Sequence, residues 1–381
     1  MNVTLIGGSG APNYGDELIA LAWLEFLRDV AGPRLESLQV TMDNNSAKRS
    51  AEQFQERFGG VQFQAVIKPH RMPDKDAPLL AHLQYGLSFY DGGHWRHHQP
   101  LASALEALQD SDLVHLYGGG YINTRFSPHN AMLLGLMAAT QRQFGVRLAG
   151  TGLGLTPLDF EAGADTRLLA QTLDAFDVFE VRDRHSAQRL RELGVGDRTL
   201  VLGLDDAYLR PLRVQPGPPA RRLHLSAYRA GNIFEQPAVR AWLTREAPGF
   251  DEVCYWLCCP YLERDIVADL QTLWPALRVV GVQELLFEGV PVQRGDHMLT
   301  MRYHPHLMAA RAGVGGQYVA QNLYYRHKHE SVVIAGSRLT ALDVQGEPLP
   351  PGARNLPSQV DDERWQARKL AVARRVYRLA P

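Results

Sequence analysis

Short apolar runs alternate with helical runs along the first half of the chain. Residues 3–7 predict a buried strand, a turn-rich loop follows, and residues 18–27 carry apolar side chains at helical spacing. The pattern repeats as a strand over 113–117, three glycines and a helix over 131–143, and then a strand over 147–154. This alternation indicates a parallel, doubly wound α/β sheet.

The second half repeats the alternation after a proline-rich break. Residues 209–222 hold four prolines, which cannot continue a helix or a central strand, so we place a domain boundary there. Beyond the break, the pattern predicts strands over 222–227, 253–257, 278–282 and 297–301, and helices over 239–246, 266–273 and 307–312. This half therefore predicts a second Rossmann-like domain.

The predicted organisation is two Rossmann-like domains, over 1–210 and 221–345, followed by a C-terminal helix. Residues 360–381 combine spaced apolar side chains with many arginines, which is typical of an amphipathic helix that packs back on the body. We interpret its charges as a solvated face. Residues 70–100 are rich in histidine and proline, and we interpret them as a loop.

The charge balance narrows the class of partner. The 381 residues carry 40 Lys and Arg against 41 Asp and Glu, a net charge of -1, which argues against a nucleic-acid-binding surface. The chain start lacks a signal-peptide pattern, and no run approaches the roughly 20 apolar residues of a membrane span. The sequence therefore predicts a cytoplasmic protein without an integral membrane segment. Peripheral attachment to the inner face of the membrane and the oligomeric state stay open.

Three cysteines lie close together in the second half, at Cys254, Cys258 and Cys259. An odd number of thiols offers no paired disulfide framework. Zinc binding is one interpretation of the group, and a buried apolar strand is the simpler one.

The sharpest chemical feature is the pair Arg302 and His304, where an apolar strand ends and a helix begins. The guanidinium fork suits a carboxylate or phosphate, and the free N–H groups of a first helical turn add positive potential there. An imidazole exchanges a proton near neutral pH, so His304 is a candidate general acid or base. The alternative is that His304 or His306 only caps the helix or fills space.

The first loop, residues 7–17, is rich in glycine and leads into a helix. Glycines allow a ligand to approach the backbone closely, but the spacing matches neither a dinucleotide-binding loop nor a phosphate-binding loop. Asn13 and Asp16 are candidates for binding the hydroxyls of a sugar. Capping of the helix is an equally good interpretation of Asp16.

Two further strand ends carry candidate residues. A glycine loop and its polar neighbours follow the strand over 113–117, and they comprise Gly118, Gly119, Gly120, Tyr121 and Asn123. Tyr121 and Tyr117 are candidates for stacking on a sugar, with partly buried aromatics as the alternative. Arg182 follows a strand over 178–181 and Arg229 follows the strand over 222–227, and both are candidate anion ligands. For the segment at Arg182, the alternative is a pairing of Arg182 with its neighbour Asp183, with Ser186 as the helix cap.

Taken together, these residues make the chain similar to the polysaccharide pyruvyl transferase family. The shared features, in order, are Asn-Tyr-Gly-Asp-Glu at 13–17, the glycine loop, Val-Arg-Asp-x-x-Ser at 181–186 and Met-Arg-Tyr-His at 301–304. The likeness covers most of residues 1–335. It implies a GT-B-like architecture with two Rossmann-like domains that face each other across a cleft.

The resemblance also implies a reaction, in which the enolpyruvyl part of phosphoenolpyruvate moves onto a sugar of an envelope or exopolysaccharide precursor as a cyclic ketal. Arg302 and Arg182 would bind the anionic donor, His304 would donate the proton, and Lys328 fits a late lysine of the family. Phosphoenolpyruvate is then a co-substrate, with no cofactor or metal, and the acceptor is a sugar or lipid-linked glycan. Two alternatives stay open: a GT-B glycosyltransferase that uses a nucleotide sugar, and a non-catalytic sugar-binding relative.

Overall fold

The structure is a computed structural model that describes residues 1–8, 10, 13–42, 46–65, 73–74, 76–93, 102–228, 232–342 and 356–380. Its contacts divide the chain into two compact units. The first unit comprises Met1–Ala11, Ile19–Arg210 and Gln366–Pro381, and the second comprises Pro12–Leu18 and Pro211–Trp365. The second unit therefore includes a short segment from the start of the chain, in addition to the residues that follow the proline-rich break.

The first unit is built on a parallel sheet with the strand order β3-β2-β1-β4-β5-β6-β7. Its strands are β1 (Asn2–Ile6), β2 (Ser37–Met42), β3 (Val61–Ala65), β4 (Leu113–Leu116), β5 (Arg147–Leu153), β6 (Val178–Val181) and β7 (Leu200–Leu202). All four residues of β4 are buried, as expected for a strand covered on both faces. The prediction of a parallel, doubly wound sheet is confirmed.

Helices of the first unit pack around this sheet. They are α1 (Tyr14–Phe26), α2 (Ser46–Phe54), α3 (Leu79–Leu87), α4 (Ala102–Gln109), α5 (Ala131–Phe144), α6 (Arg167–Leu173) and α7 (Arg184–Glu192). The first turn of α1, as far as Leu18, is grouped with the second unit. Helix α3 corrects the interpretation of residues 70–100 as a loop. Its buried Leu79 and Leu83 join the core of this unit, so apolar spacing outweighs the local content of histidine and proline.

The second unit contains a parallel sheet of the order β10-β9-β8-β11-β12-β13. Its strands are β8 (Arg222–Ser226), β9 (Glu252–Leu257), β10 (Arg278–Gly281), β11 (His297–Thr300), β12 (Gly315–Tyr318) and β13 (Thr340–Ala341). Its helices are α8 (Pro237–Glu246), α9 (Pro260–Leu273), α10 (Val282–Phe287), α11 (Tyr303–Arg311) and α12 (Leu323–Ile334). A second Rossmann-like domain is thus confirmed. Helix α11 begins at Tyr303, four residues before the predicted helix start.

The C-terminal segment forms helix α13 (Asp362–Val376). The interpretation of its charges as a solvated face is wrong at Lys369, which is fully buried between the carboxylates of Glu180 and Asp206. Burial lowers the pKa of Lys369, but the two carboxylates outweigh this effect and raise it overall. The lysine therefore keeps its charge, and it ties the end of the chain to the first unit.

Candidate functional site

The second sheet changes winding direction between β8 and β11. The chain leaves β8 towards β9 on one side, and the strand on the other side is β11, so the loops after β8 and β11 diverge at their carboxyl ends. Such a switch point is where open α/β sheets bind ligands. Tyr228 follows β8 and Arg302 follows β11, so both lie at this position.

Arg302 is held at this edge by contacts on its backbone and its side chain. It is the N-cap residue of α11, and the Thr300 hydroxyl accepts its backbone N–H at 2.9 Å. Its guanidinium pairs with the carboxylate of Glu263, donates from Nε to the Ala227 carbonyl at 3.1 Å, and lies 5.8 Å from the centre of the Tyr228 ring. The side chain keeps 15% of its surface exposed, so the fork is fixed in direction yet reachable.

Burial and pairing act in opposite directions on the two charges of this pair. Burial raises the pKa of the Glu263 carboxyl, and Arg302 offsets only part of that rise. Burial would lower the pKa of Arg302, but Glu263 and the nearby thiols and tyrosine together outweigh burial, and the pKa is raised. The pair is close to neutral overall, so an anion bound here also needs the positive potential at the start of α11.

His304 is the second residue of α11, and its position is restricted by its neighbours. Its ring meets the Tyr303 ring edge-on, with the centroids 4.9 Å apart. A Cβ placed on Gly15 would overlap the imidazole, so only glycine at this position leaves room for the ring as it stands. The imidazole is half-buried two residues from Arg302, at the same strand end.

The Asn-Tyr-Gly-Asp segment belongs to the second unit, which corrects its assignment to the N-terminal domain. Tyr14 donates its backbone N–H to the Cys258 carbonyl at 2.8 Å, and this contact holds the start of α1 against the second sheet. Asn13 donates from its amide to the Asp16 carboxylate at 2.6 Å, and both side chains are half-buried. The structure therefore brings Asn13 and Asp16 to the neighbourhood of His304.

Lys328 lies in a group of tyrosines that extends to Arg302. Its ammonium is 3.9 Å from the centre of the Tyr324 ring and 5.6 Å from that of Tyr325. The Tyr325 ring stacks on the Tyr228 ring, with the centroids 5.3 Å apart. The guanidinium of Arg302 lies 5.8 Å from the centre of the same Tyr228 ring. Two residues predicted as donor ligands are thus linked through aromatic rings. Sequence reasoning missed Tyr228 and Glu263, because no local motif marks them.

In the first unit, the glycine loop follows β4. Gly118 donates its backbone N–H to the Asp206 carboxylate at 2.7 Å, and Gly119 adopts a φ of 148° that a side chain would disfavour. Tyr117 is fully buried, so its predicted stacking on a sugar is not available here. Tyr121 is half-buried, and its hydroxyl donates to the Tyr117 carbonyl at 2.6 Å.

Asn123 has a structural role in this structure. Its side chain is fully buried, its amide donates to the Gly120 carbonyl, and its oxygen accepts backbone N–H groups of Arg125, Phe126 and Ser127. These contacts close a turn and occupy the polar atoms that an acceptor would need. Its role as an acceptor ligand stays a prediction.

Arg182 is also enclosed. Its Nη1 pairs with Asp205 at 2.6 Å, and only 3% of its side chain is exposed. Asp183 accepts the backbone N–H and the hydroxyl of Ser186 and caps α7. The alternative of an Arg182–Asp183 pair with Ser186 as the cap is therefore wrong, because the arginine pairs with Asp205 and the cap is Asp183. The donor contact of Arg182 stays a prediction. Arg229 lies outside the described residues.

The three cysteines lie on and after β9, and all are buried. Burial raises the pKa of Cys254 and of Cys258 to about 12, so both thiols are protonated near neutral pH. The burial of the three side chains agrees with the interpretation of the group as part of a buried apolar strand and its end.

Comparison with solved structures shows the class of fold. The chain is similar to a UDP-GlcNAc 2-epimerase from Methanocaldococcus jannaschii, with a TM-score of 0.53 and 11% identity over 98% of this chain and 99% of that one. A protein assigned as a UDP-N-acetylglucosamine 2-epimerase from Listeria monocytogenes gives a TM-score of 0.52 and 12% identity, over 99% and 89%. Two parallel-sheet domains of this kind define a GT-B-like fold.

Within this class, the family model of polysaccharide pyruvyl transferase matches residues 13–254. This is more than half of the chain, so the protein belongs to the polysaccharide pyruvyl transferase family. The match includes the Asn13 segment, the glycine loop and Arg182, and it ends before Arg302 and His304. No curated protein sequence matches the chain significantly. Among the described residues, none of the helices has the length and apolar character needed to cross a membrane.

Proposed function

We propose that the protein transfers the enolpyruvyl group of phosphoenolpyruvate to a sugar of a cell-envelope or exopolysaccharide precursor, and forms a cyclic ketal. The observation that carries the proposal is the placement of Arg302 and His304 at one strand end, with Asn13 and Asp16 beside them. A guanidinium, an imidazole and a polar helix start suit a donor with a carboxylate and a phosphate. We propose the cytoplasm as the compartment.

The donor would bind through its two anionic groups. Arg302, directed by Glu263, would bind the carboxylate, and the first N–H groups of α11 would bind the phosphate. Lys328 would add a second positive charge through its position on the tyrosine group. This division supplies charge to both ends of the donor even though Glu263 neutralises Arg302.

The chemical step begins with a proton. His304 would donate a proton to the methylene carbon of the donor, which becomes a methyl group and leaves the central carbon electrophilic. One sugar hydroxyl adds to that carbon and loses its proton. The bond from the central carbon to the phosphate oxygen then breaks, phosphate leaves with the bonding electrons, and a second hydroxyl adds and loses its proton. The net change is donor plus diol to ketal plus phosphate.

The acceptor is proposed to be a sugar that offers two neighbouring hydroxyls. Asp16, held by Asn13, would accept a hydrogen bond from one of them. The loop of Gly118, Gly119 and Gly120 with Tyr121 stays a predicted acceptor contact. Replacing Tyr121 with leucine should raise the KM for the acceptor and leave the KM for phosphoenolpyruvate unchanged, if that prediction holds.

The test measures phosphate release from phosphoenolpyruvate in the presence of nucleotide-linked and lipid-linked sugars. We expect release only when donor and acceptor are both present, and His304→Gln should lower kcat by about 10²–10⁴-fold, as for loss of a general acid. His185→Gln, at an exposed histidine, is the matched control. Full turnover by His304→Gln would overturn the assigned role.

A binding measurement separates the proposal from a nucleotide-sugar glycosyltransferase. Phosphoenolpyruvate should raise the melting temperature, and Arg302→Gln should remove that shift. A shift with UDP or GDP and none with phosphoenolpyruvate would favour the glycosyltransferase instead.

A further inference from the structure

The carboxylate of Glu263 makes contacts through both of its oxygens next to the candidate site. It lies in the first turn of α9 and is fully buried. One oxygen pairs with the guanidinium of Arg302, and the other accepts the backbone N–H of Cys258 at 2.9 Å and lies 3.4 Å from the Tyr255 hydroxyl. Both oxygens are therefore engaged, and the side chain has no route to a ligand of its own.

The contact with Cys258 extends towards His304. Cys258, whose N–H donates to Glu263, also accepts the backbone N–H of Tyr14 at its carbonyl oxygen, at 2.8 Å. Tyr14 precedes Gly15, and Gly15 lies against the imidazole of His304 without room for a Cβ. The Glu263 carboxylate thus contacts Arg302 directly, and it supports the backbone beside His304 indirectly, through the two hydrogen bonds that Cys258 makes with Glu263 and with Tyr14.

We propose that Glu263 is the positioning residue of this site, which fixes the guanidinium of Arg302 and the start of α1 against His304. A positioned pair matters because small displacements of reacting groups cost large factors in rate. This inference rests on the proposed function for its kinetic readout. Its structural readout, the protection of the Tyr14 amide, is independent of any activity.

Because Glu263 is charged, its replacement should affect kcat and KM differently. Replacing the carboxylate with an amide removes a negative charge beside an anion site, and it leaves one acceptor oxygen for the contacts that two oxygens make now. The extra positive charge strengthens ground-state binding of an anion, and the looser guanidinium and imidazole weaken the chemical step. We expect Glu263→Gln to lower kcat by about 10- to 100-fold while the KM for phosphoenolpyruvate stays equal or falls.

The experiment compares Glu263→Gln and Glu263→Asp with Asp269→Asn, which changes an exposed carboxylate on the same helix α9. Steady-state kinetics give kcat and KM, and hydrogen exchange gives the protection of residues 13–18 and 302–306. Glu263→Gln should accelerate exchange in both segments and leave α8 unchanged. Glu263→Asp keeps the charge but is shorter, so its kcat should lie between those of the wild type and Glu263→Gln.

Two results would overturn the proposal. Losses of kcat that follow the losses of folded fraction in both Glu263 variants, with exchange accelerated as much in α8 as in 13–18 and 302–306, would assign Glu263 to stability alone. If the Glu263 variants have the same kinetics and exchange as Asp269→Asn, Glu263 has no positioning role. If the wild type releases no phosphate with any acceptor, the proposed function fails, and the exchange comparison still decides the role of Glu263.

Discussion

Buried ion pairs lie at the carboxyl ends of both sheets, but they differ in how far they are closed off from solvent. In the first unit, Lys369 is sealed between Glu180 and Asp206, and the side chain of Arg182 on Asp205 is 3% exposed. In the second unit, Arg302 pairs with a sealed Glu263 and keeps 15% of its surface exposed.

The difference separates two uses of charge. A sealed pair has all of its hydrogen-bonding capacity engaged by the protein, so it defines a local geometry and is costly to break. A pair with one sealed and one partly exposed partner directs the exposed group towards a ligand. On this comparison, the Lys369 cluster supports the glycine loop, because Asp206 also accepts the Gly118 N–H. The second-unit pair is the one that we propose binds the donor.

The largest expected effect comes from breaking the sealed cluster. Lys369→Met leaves Glu180 and Asp206 buried without their counter-charge, which should cost about 3–5 kcal/mol of unfolding free energy. Chemical unfolding followed by fluorescence measures this loss. Arg368→Met, at the exposed neighbour, should change stability by less than about 0.5 kcal/mol. Equal effects of the two changes would contradict the comparison.

A smaller effect is expected from crowding the imidazole of His304. Gly15→Ala places a methyl group where the imidazole of His304 lies, and relieving such a clash typically costs about 1–3 kcal/mol. We expect kcat to fall by about 10- to 100-fold, because the imidazole is displaced. Gly59→Ala is the control, since no atom lies near its added Cβ. A fully active Gly15→Ala variant would remove Gly15 from the site.

We expect the free energy of unfolding to depend on pH because of one buried histidine in each unit. Burial lowers the pKa of His115 in the first unit and of His329 in the second unit to about 3. Below about pH 6.5 the unfolded chain protonates these imidazoles while the folded chain does not. The free energy of unfolding should therefore fall as the pH drops from about 6.5 towards 3, by up to about 1.4 kcal/mol per pH unit for each histidine.

Urea unfolding at several pH values measures this slope. His329→Asn should flatten the dependence, whereas His185→Asn, at an exposed histidine, should not. An unchanged slope in His329→Asn would show that this imidazole is protonated in the folded protein.

The smallest effect is expected from the aromatic face beside Arg302. Tyr228→Leu removes a ring 5.8 Å from the guanidinium, a contact worth about 0.5–1 kcal/mol. The KM for phosphoenolpyruvate should rise by about two- to fivefold while kcat changes little. Phe in place of Tyr228 should behave like the wild type, because it keeps the ring. A loss with phenylalanine would point to the hydroxyl instead.

The alternation of strands and helices predicted both sheets, because apolar runs bounded by glycine and proline report local burial. Strands β2 and β3 were missed, since polar residues interrupt them at every second position, and β12 was missed because two of its four residues are glycine. The helix after Arg302 was predicted, but its start was placed four residues late, because the apolar run that marks the helix begins only at Leu307.

The candidate site was predicted only where its residues share a strand end. Arg302 and His304 lie in one motif, whereas the partner of Arg302, Glu263, is on another helix and follows no pattern of its own. The same limit explains Lys369, whose burial depends on carboxylates far away in the sequence. Residues that meet only through tertiary packing leave no pattern in the local sequence. Judged by its charge alone, such a residue is predicted to lie on a solvated face.

The most direct test of the proposed proton donation by His304 is the mass of the product formed in D₂O. If His304 donates its exchangeable proton to the methylene carbon, the ketal methyl group should carry one deuterium, and His304→Gln should form little labelled product. A ketal methyl group without deuterium, or labelled product formed by His304→Gln at the wild-type rate, would contradict the account.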